Sequence, residues 1–132
     1  MPESLRGQVA IVGAADSEVG ILPEAGATRL CIDAILAALA DAGLGKDEVD
    51  GLVTCNPIAE PFTYHAEAIA EHLGVFPRYC VSVATGGGTT FTALHQAAAA
   101  VATGLCRTVV VAMADCLRSG VTRERAVALQ AS

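Results

Sequence analysis

Seven residues in the middle of the chain, Ala84 to Thr90 (ATGGGTT), carry its densest chemical potential. Three successive glycines, Gly86, Gly87 and Gly88, permit positive φ and let a ligand approach the backbone closely. Their amides, at the start of a helix, could bind an anion or a developing oxyanion. The alternative is a tight turn that only carries the chain from a strand into a helix. Thr85, Thr89 and Thr90 offer hydroxyls, but an attacking threonine needs a base beside it, and capping the helix is the simpler role. The run lacks the G-x-G-x-x-G spacing, so a small nucleotide-binding domain is a weak third option.

The remaining reactive side chains are dispersed. Five cysteines, Cys31, Cys55, Cys80, Cys106 and Cys116, are odd in number and contain no C-x-x-C pair. They read as reduced structural thiols of a cytoplasmic protein, with no metal site. His95 lies within the helix after the glycines and is expected to be a hydrogen-bonded core residue. His65, next to Tyr64 at the start of an earlier helix, is expected at the surface.

The elements that position these residues follow from apolar spacing. Runs at Gln8–Ala14, Gly51–Cys55, Arg78–Val83 and Thr108–Ala112 read as four buried strands. Helical spacing of apolar residues covers Ala27–Ala42, closed by Gly43, and Phe62–Leu73, closed by Gly74. An Ala-rich helix, Thr89–Thr103, ends at Gly104. A last short helix over Thr122–Gln130 takes Thr122 as its N-cap. This β-α-β-α-β-α-β order predicts an α/β fold with a mainly parallel sheet and right-handed crossovers.

Composition narrows the function. The 132 residues suit one domain. Net charge is -6, and the isoelectric point is near 4.8. Phosphate backbones and anionic lipid surfaces both attract basic proteins, so no nucleic acid and no membrane is expected as partner. No apolar stretch approaches the roughly 20 residues needed to cross a bilayer.

Hydrophobic residues make up 53% and aromatics 4%, so the apolar material is small and suits closely packed layers. The Ala-rich helix has no charged residue in Thr89–Thr103, which predicts burial all round. One sheet covers only one side of a helix about 23 Å long. A second layer is therefore expected from a missing half of the protein or from a partner chain.

Residues 81–115 (VSVATGGGTTFTALHQAAAAVATGLCRTVVVAMAD) resemble the nucleophile segment of the thiolase superfamily. Ala93–Leu94, the AVATG from Ala100 to Gly104 and the strand Thr108–Ala112 match without a gap. The N-terminal VAIVGA and the VDGLVTC of Val49–Cys55 resemble the family's first two strands. The sterol-carrier thiolase and lipid-transfer-protein group, often described as acetyl-CoA acetyltransferase, is most similar.

The resemblance implies a thiolase-like layered fold around the buried helix of about Gly87–Thr103. Residues 1–132 would be an incomplete N-terminal domain, inactive alone. It implies a coenzyme A thioester as substrate, with no further cofactor. It also implies a homodimer or a C-terminal half as partner, and a small OB-fold protein as a further one. The acid–base histidines and second cysteine of ordinary thiolases would lie in that C-terminal half.

One departure bears on mechanism. Thiolases place a nucleophilic cysteine at the start of this helix, where the dipole and free amides favour a thiolate. Aligned back from Gly104, that position falls on Gly87, and residues 84–90 contain no cysteine. Cys80 could serve only through local rearrangement. Gly86, Gly87, Gly88 and Thr89 remain as substrate-binding candidates, with the catalytic residue unassigned. The chemistry then implied is that of cysteine-less relatives: retro-aldol cleavage of β-hydroxyacyl-CoA on steroid side chains. A non-catalytic subunit that supports a partner chain is the alternative.

Overall fold

The computed structural model describes residues 4–119 and 121–131. Three strands form one parallel sheet: β1 (Gly51–Cys55), β2 (Tyr79–Val83) and β3 (Val109–Ala112), in the order β2-β1-β3. Gly51 pairs with Tyr79 on one side and with Val109 on the other. As the central strand, β1 is buried at all five residues, which its continuous GLVTC run anticipates. Gly51 is needed there: a Cβ would lie 2.7 Å from Val109 Cγ2 and 3.0 Å from Cys106 Sγ.

Four helices accompany the sheet: α1 (Ala27–Ala42), α2 (His65–Leu73), α3 (Thr89–Ala102) and α4 (Arg123–Ala131). The inward stripe of α1, Cys31, Ile35 and Leu39, joins Ile69, Ala70 and Leu73 of α2 against Leu52 on one face of the sheet. Ala93 and Ala97 of α3 pack with Val53, Cys55 and Val83 on the other face. The connections β1-α2-β2 and β2-α3-β3 run in opposite directions across the sheet, so right-handed crossovers place α2 and α3 on opposite faces. Gly43 and Gly74 end α1 and α2 in the left-handed conformation, with φ of 68° and 69°. Thr122 Oγ1 accepts the Arg125 amide at 3.2 Å at the start of α4, as its N-cap reading requires.

One expectation fails. The N-terminal run Gln8–Ala14 is not a strand. It is held along α1, where the Ala14 amide donates to Asp41 Oδ2 at 3.0 Å, and Ile11 and Val12 stay 77% and 64% exposed. An apolar run becomes a strand only when a ladder partner satisfies its backbone. The segment that follows this run, from Ala15 to Gly20, borders an open cleft of about 270 Å³ whose other lining includes Ala34 and Ala38 of α1 and Val111 of β3.

Within this chain α3 is buried on one face, which leaves its other face for the second layer expected from a missing half or a partner chain. Thr89, Ala93, Ala97 and Ala100 face inward, while Phe91 is 77% exposed and Leu94 and His95 also face outward. The described residues supply one sheet, and one sheet covers one side. Among them, no helix is long and apolar enough to cross a membrane.

Candidate active site

In open α/β sheets, ligands bind outside the carboxyl ends of the strands, where neighbouring crossovers leave for opposite faces. Here that place is the pair β1 and β2. The chain leaves β1 through residues 56–64 toward α2, and leaves β2 through residues 84–88 toward α3. The glycine turn therefore stands where the topology puts a site.

The turn is tightly organised. Gly86 takes φ +67°, which favours glycine, and Gly86–Gly88 form a single 3-10 turn leading into α3. Thr89 Oγ1 donates to the Gly86 carbonyl at 2.6 Å and accepts the Thr85 amide at 2.9 Å. Thr92 Oγ1 donates to the Gly88 carbonyl at 3.2 Å and lies 3.1 Å from Thr85 Oγ1. These hydroxyls brace the turn; no side chain caps the N-terminus of α3, contrary to the capping role expected of the threonines. First-turn amides have no partner within their own helix. A Cβ built on Gly87 or Gly88 meets nothing within 4 Å, so the space beside their Cα atoms is open. Thr90 Oγ1 contacts Met113 Sδ at 3.7 Å, which brings the end of β3 to the same rim.

The loop from β1 to α2 forms the neighbouring wall and is pinned from behind. Asp115 accepts the amides of Ile58 at 2.7 Å and Ala59 at 3.1 Å. Glu60 accepts the amides of Ala27 and Thr28 and the Thr28 hydroxyl at 2.8–3.0 Å. Burial pushes the Glu60 carboxyl up, but these bonds and the nearby His65 outweigh it and hold it below the usual carboxylate range. Neither anchor was foreseen from the sequence.

Both main histidine expectations are reversed. His65 is buried, 1% exposed, with Nδ1 2.9 Å from Thr54 Oγ1. Burial lowers its pKa, and the Glu60 charge opposes that only in part. The spacing His65, Ile69, Leu73 sets it on the buried stripe of α2. His95 is exposed instead, because it lies on the face of α3 away from Ala93 and Ala97.

The cysteines follow their structural reading: all five are free thiols. Burial pushes Cys31 up to about 11, and raises Cys55, Cys80, Cys106 and Cys116 as well. Cys80 packs on the α1/α2 side of the sheet, the face opposite α3. Local rearrangement therefore does not bring its sulfur to the glycine turn. Among the described residues, no three of His, Cys, Asp and Glu converge as a metal site.

The architecture is the thiolase-like fold. The chain aligns with 3-oxoacyl-[acyl-carrier-protein] synthase III from Aquifex aeolicus at a TM-score of 0.66 and 21% identity, over 79% of this chain and 35% of that one. With the solved Ltp2-ChsH2(DUF35) aldolase it shares 35% identity at a TM-score of 0.71, over 89% of this chain and 31% of that one. It is 37% identical over 121 residues to a steroid side-chain-cleaving aldolase of Thermomonospora curvata. It is 38% identical over 116 residues to a 17-hydroxy-3-oxo-4-pregnene-20-carboxyl-CoA lyase of Mycobacterium tuberculosis. The alignments cover 89% and 88% of this chain, which spans 29% of the length of either relative. No protein-family model matches the chain.

Proposed function

We propose that the chain forms the N-terminal part of an acyl-CoA lyase that cleaves a β-hydroxyacyl-CoA side chain of a steroid by retro-aldol chemistry, without a cysteine nucleophile. The observation that carries this reading is the glycine turn: an open helix start at the carboxyl edge of the sheet, with backbone amides and no thiol. The names of the two aldolase and lyase relatives support the reaction class and the steroid substrate. The acyltransferase reading, acetyl-CoA acetyltransferase included, is less favoured, because an acyl-enzyme needs a nucleophile at this turn.

The chemistry balances without a cofactor. A base removes the β-hydroxyl proton, the Cα–Cβ bond breaks, and a ketone leaves. The bonding pair passes into the thioester enolate, whose oxygen is stabilised by amides such as those of Gly87 and Gly88. Protonation at Cα releases the shortened acyl-CoA. Gly86 gives the turn its shape, and Thr89 holds it. The base would come from the rest of the protein, so the chain alone would be inactive.

The exposed α3 face and the open outer edge of β3 favour a protein partner. This would be a C-terminal half, a second copy in a homodimer or an OB-fold chain. The solved Ltp2-ChsH2(DUF35) complex supports partner dependence. Five free thiols fit a cytoplasmic setting. The same exposed face also keeps open a non-catalytic subunit that braces a full-length partner.

The test is incubation of the full-length protein, with and without an OB-fold partner, with 17-hydroxy-3-oxo-4-pregnene-20-carboxyl-CoA. Release of the 17-ketosteroid and propanoyl-CoA is expected. Thiolysis of acetoacetyl-CoA at ordinary thiolase rates, with no lyase turnover, would sink the proposal.

A further inference from the structure

Behind the glycine turn, a chain of polar side chains crosses the sheet. The Ala66 amide donates to Ser82 Oγ at 2.9 Å; Ser82 Oγ lies 3.3 Å from Thr54 Oγ1; Thr54 Oγ1 lies 2.9 Å from His65 Nδ1. Thr54 is 0% exposed and His65 1%. The chain links α2 to β1 and to β2, and Ser82 stands four residues before Gly86.

His65 Nε2 is buried and has no hydrogen-bond partner among the described residues. An unpaired buried polar atom is costly, and an apolar side chain would avoid that cost. A residue kept only for packing against the Phe62 ring, 5.4 Å away between centroids, gains nothing from that nitrogen. What distinguishes histidine here is the bond at Nδ1.

We propose that His65 is a positioning residue: through Thr54 and Ser82 it sets the loop 56–64 and the glycine turn in fixed relation to each other. Its effect on turnover rests on the lyase reading above, whereas its effect on the backbone does not.

The experiment combines hydrogen–deuterium exchange and steady-state kinetics on the full-length protein. His65→Leu is expected to speed exchange in residues 56–64 and 82–90, leaving α1 unchanged, and to lower kcat about tenfold with little change in KM. His65→Asn, whose amide can stand where Nδ1 does, restores both. Thr54→Val, which removes the hydroxyl at nearly constant volume, reproduces the faster exchange at 82–90 and decides the matter if His65→Leu does not fold. The proposal is overturned if exchange at 82–90 stays as in the parent in both His65→Leu and Thr54→Val, or if His65→Asn behaves like His65→Leu. Should the parent protein lack lyase turnover, the functional reading falls, and the exchange measurements alone decide the role of His65.

Discussion

Glu60 holds Thr28 twice, by its amide at 3.0 Å and by its hydroxyl at 2.8 Å, and so caps α1 from a loop 32 residues downstream. The N-cap position itself is Gly26, which supplies no side-chain cap. A Cβ there would collide with Glu60 Oε1, so glycine makes room for the carboxylate. Glu60→Ala should destabilise the protein by about 0.5–2 kcal/mol, the usual range for a lost N-cap. Urea unfolding measures the loss, and faster exchange of the Ala27 and Thr28 amides localises it. Unchanged exchange at those two amides would refute the capping role.

Local signals made much of this fold legible. The strand Gly51–Cys55, the helix Ala27–Ala42 and the left-handed stops at Gly43 and Gly74 depend on neighbours in sequence, and periodicity reveals them. The first strand did not form because it depends on a backbone partner that no local pattern supplies. The uncharged run of α3 was legible as a helix that tolerates cover on every side, and this stretch of chain covers the side that faces its one sheet. At the site, the glycine turn was visible as composition. The Asp115 and Glu60 anchors join residues more than 30 apart and leave no local trace. His65 did leave one, the four-residue spacing with Ile69 and Leu73, which outweighs the polarity of its ring.

Gly86 and Gly87 should respond oppositely to a methyl group. Gly86 has φ +67°, where an L side chain costs about 1–2 kcal/mol. Gly87 is outside the left-handed region, and its Cβ would enter open space. Gly86→Ala should lower the melting temperature, while Gly87→Ala should leave it unchanged or raise it by restricting the unfolded chain. If substrate approaches the turn as proposed, Gly87→Ala should still reduce kcat/KM. Equal melting losses in both variants would contradict this backbone geometry.

Acid should weaken the fold in two stages. His65 has a pKa lowered from 6.5 by burial, so the unfolded chain takes up its proton first. Stability is complete above 6.5 and declines as pH falls below it, until the folded form also protonates. Glu60 and Asp50 act lower. Burial raises both carboxyls, but hydrogen bonds outweigh it: from Thr28 and Ala27 for Glu60, and from Thr108 and Arg107 for Asp50. Their stabilisation is present above 4.5 and 3.8 and is lost as pH falls through their depressed folded values. Urea midpoints recorded from about pH 8 downward should show both stages. In His65→Asn the first should shrink and the second persist; a first stage of undiminished size would assign it to another group.

The thiols should be slow to react. Only a thiolate attacks an alkylating agent, and with every pKa raised above 9 no more than a few per cent of any thiol is ionised near neutral pH. Cys31, Cys55 and Cys106 are also buried, leaving Cys80 and Cys116 as the half-exposed pair. Iodoacetamide near neutral pH should therefore modify those two first and slowly, as peptide mass spectrometry would show. Turnover by the full-length protein should not fall in step with either. Cys80 lies across the sheet from the glycine turn, so even its complete alkylation leaves the open space at Gly87 and Gly88 untouched. Rapid labelling of Cys80 with proportional loss of lyase activity would mean that sulfur reaches the substrate after all, and that amide stabilisation alone does not describe the chemistry at this helix start.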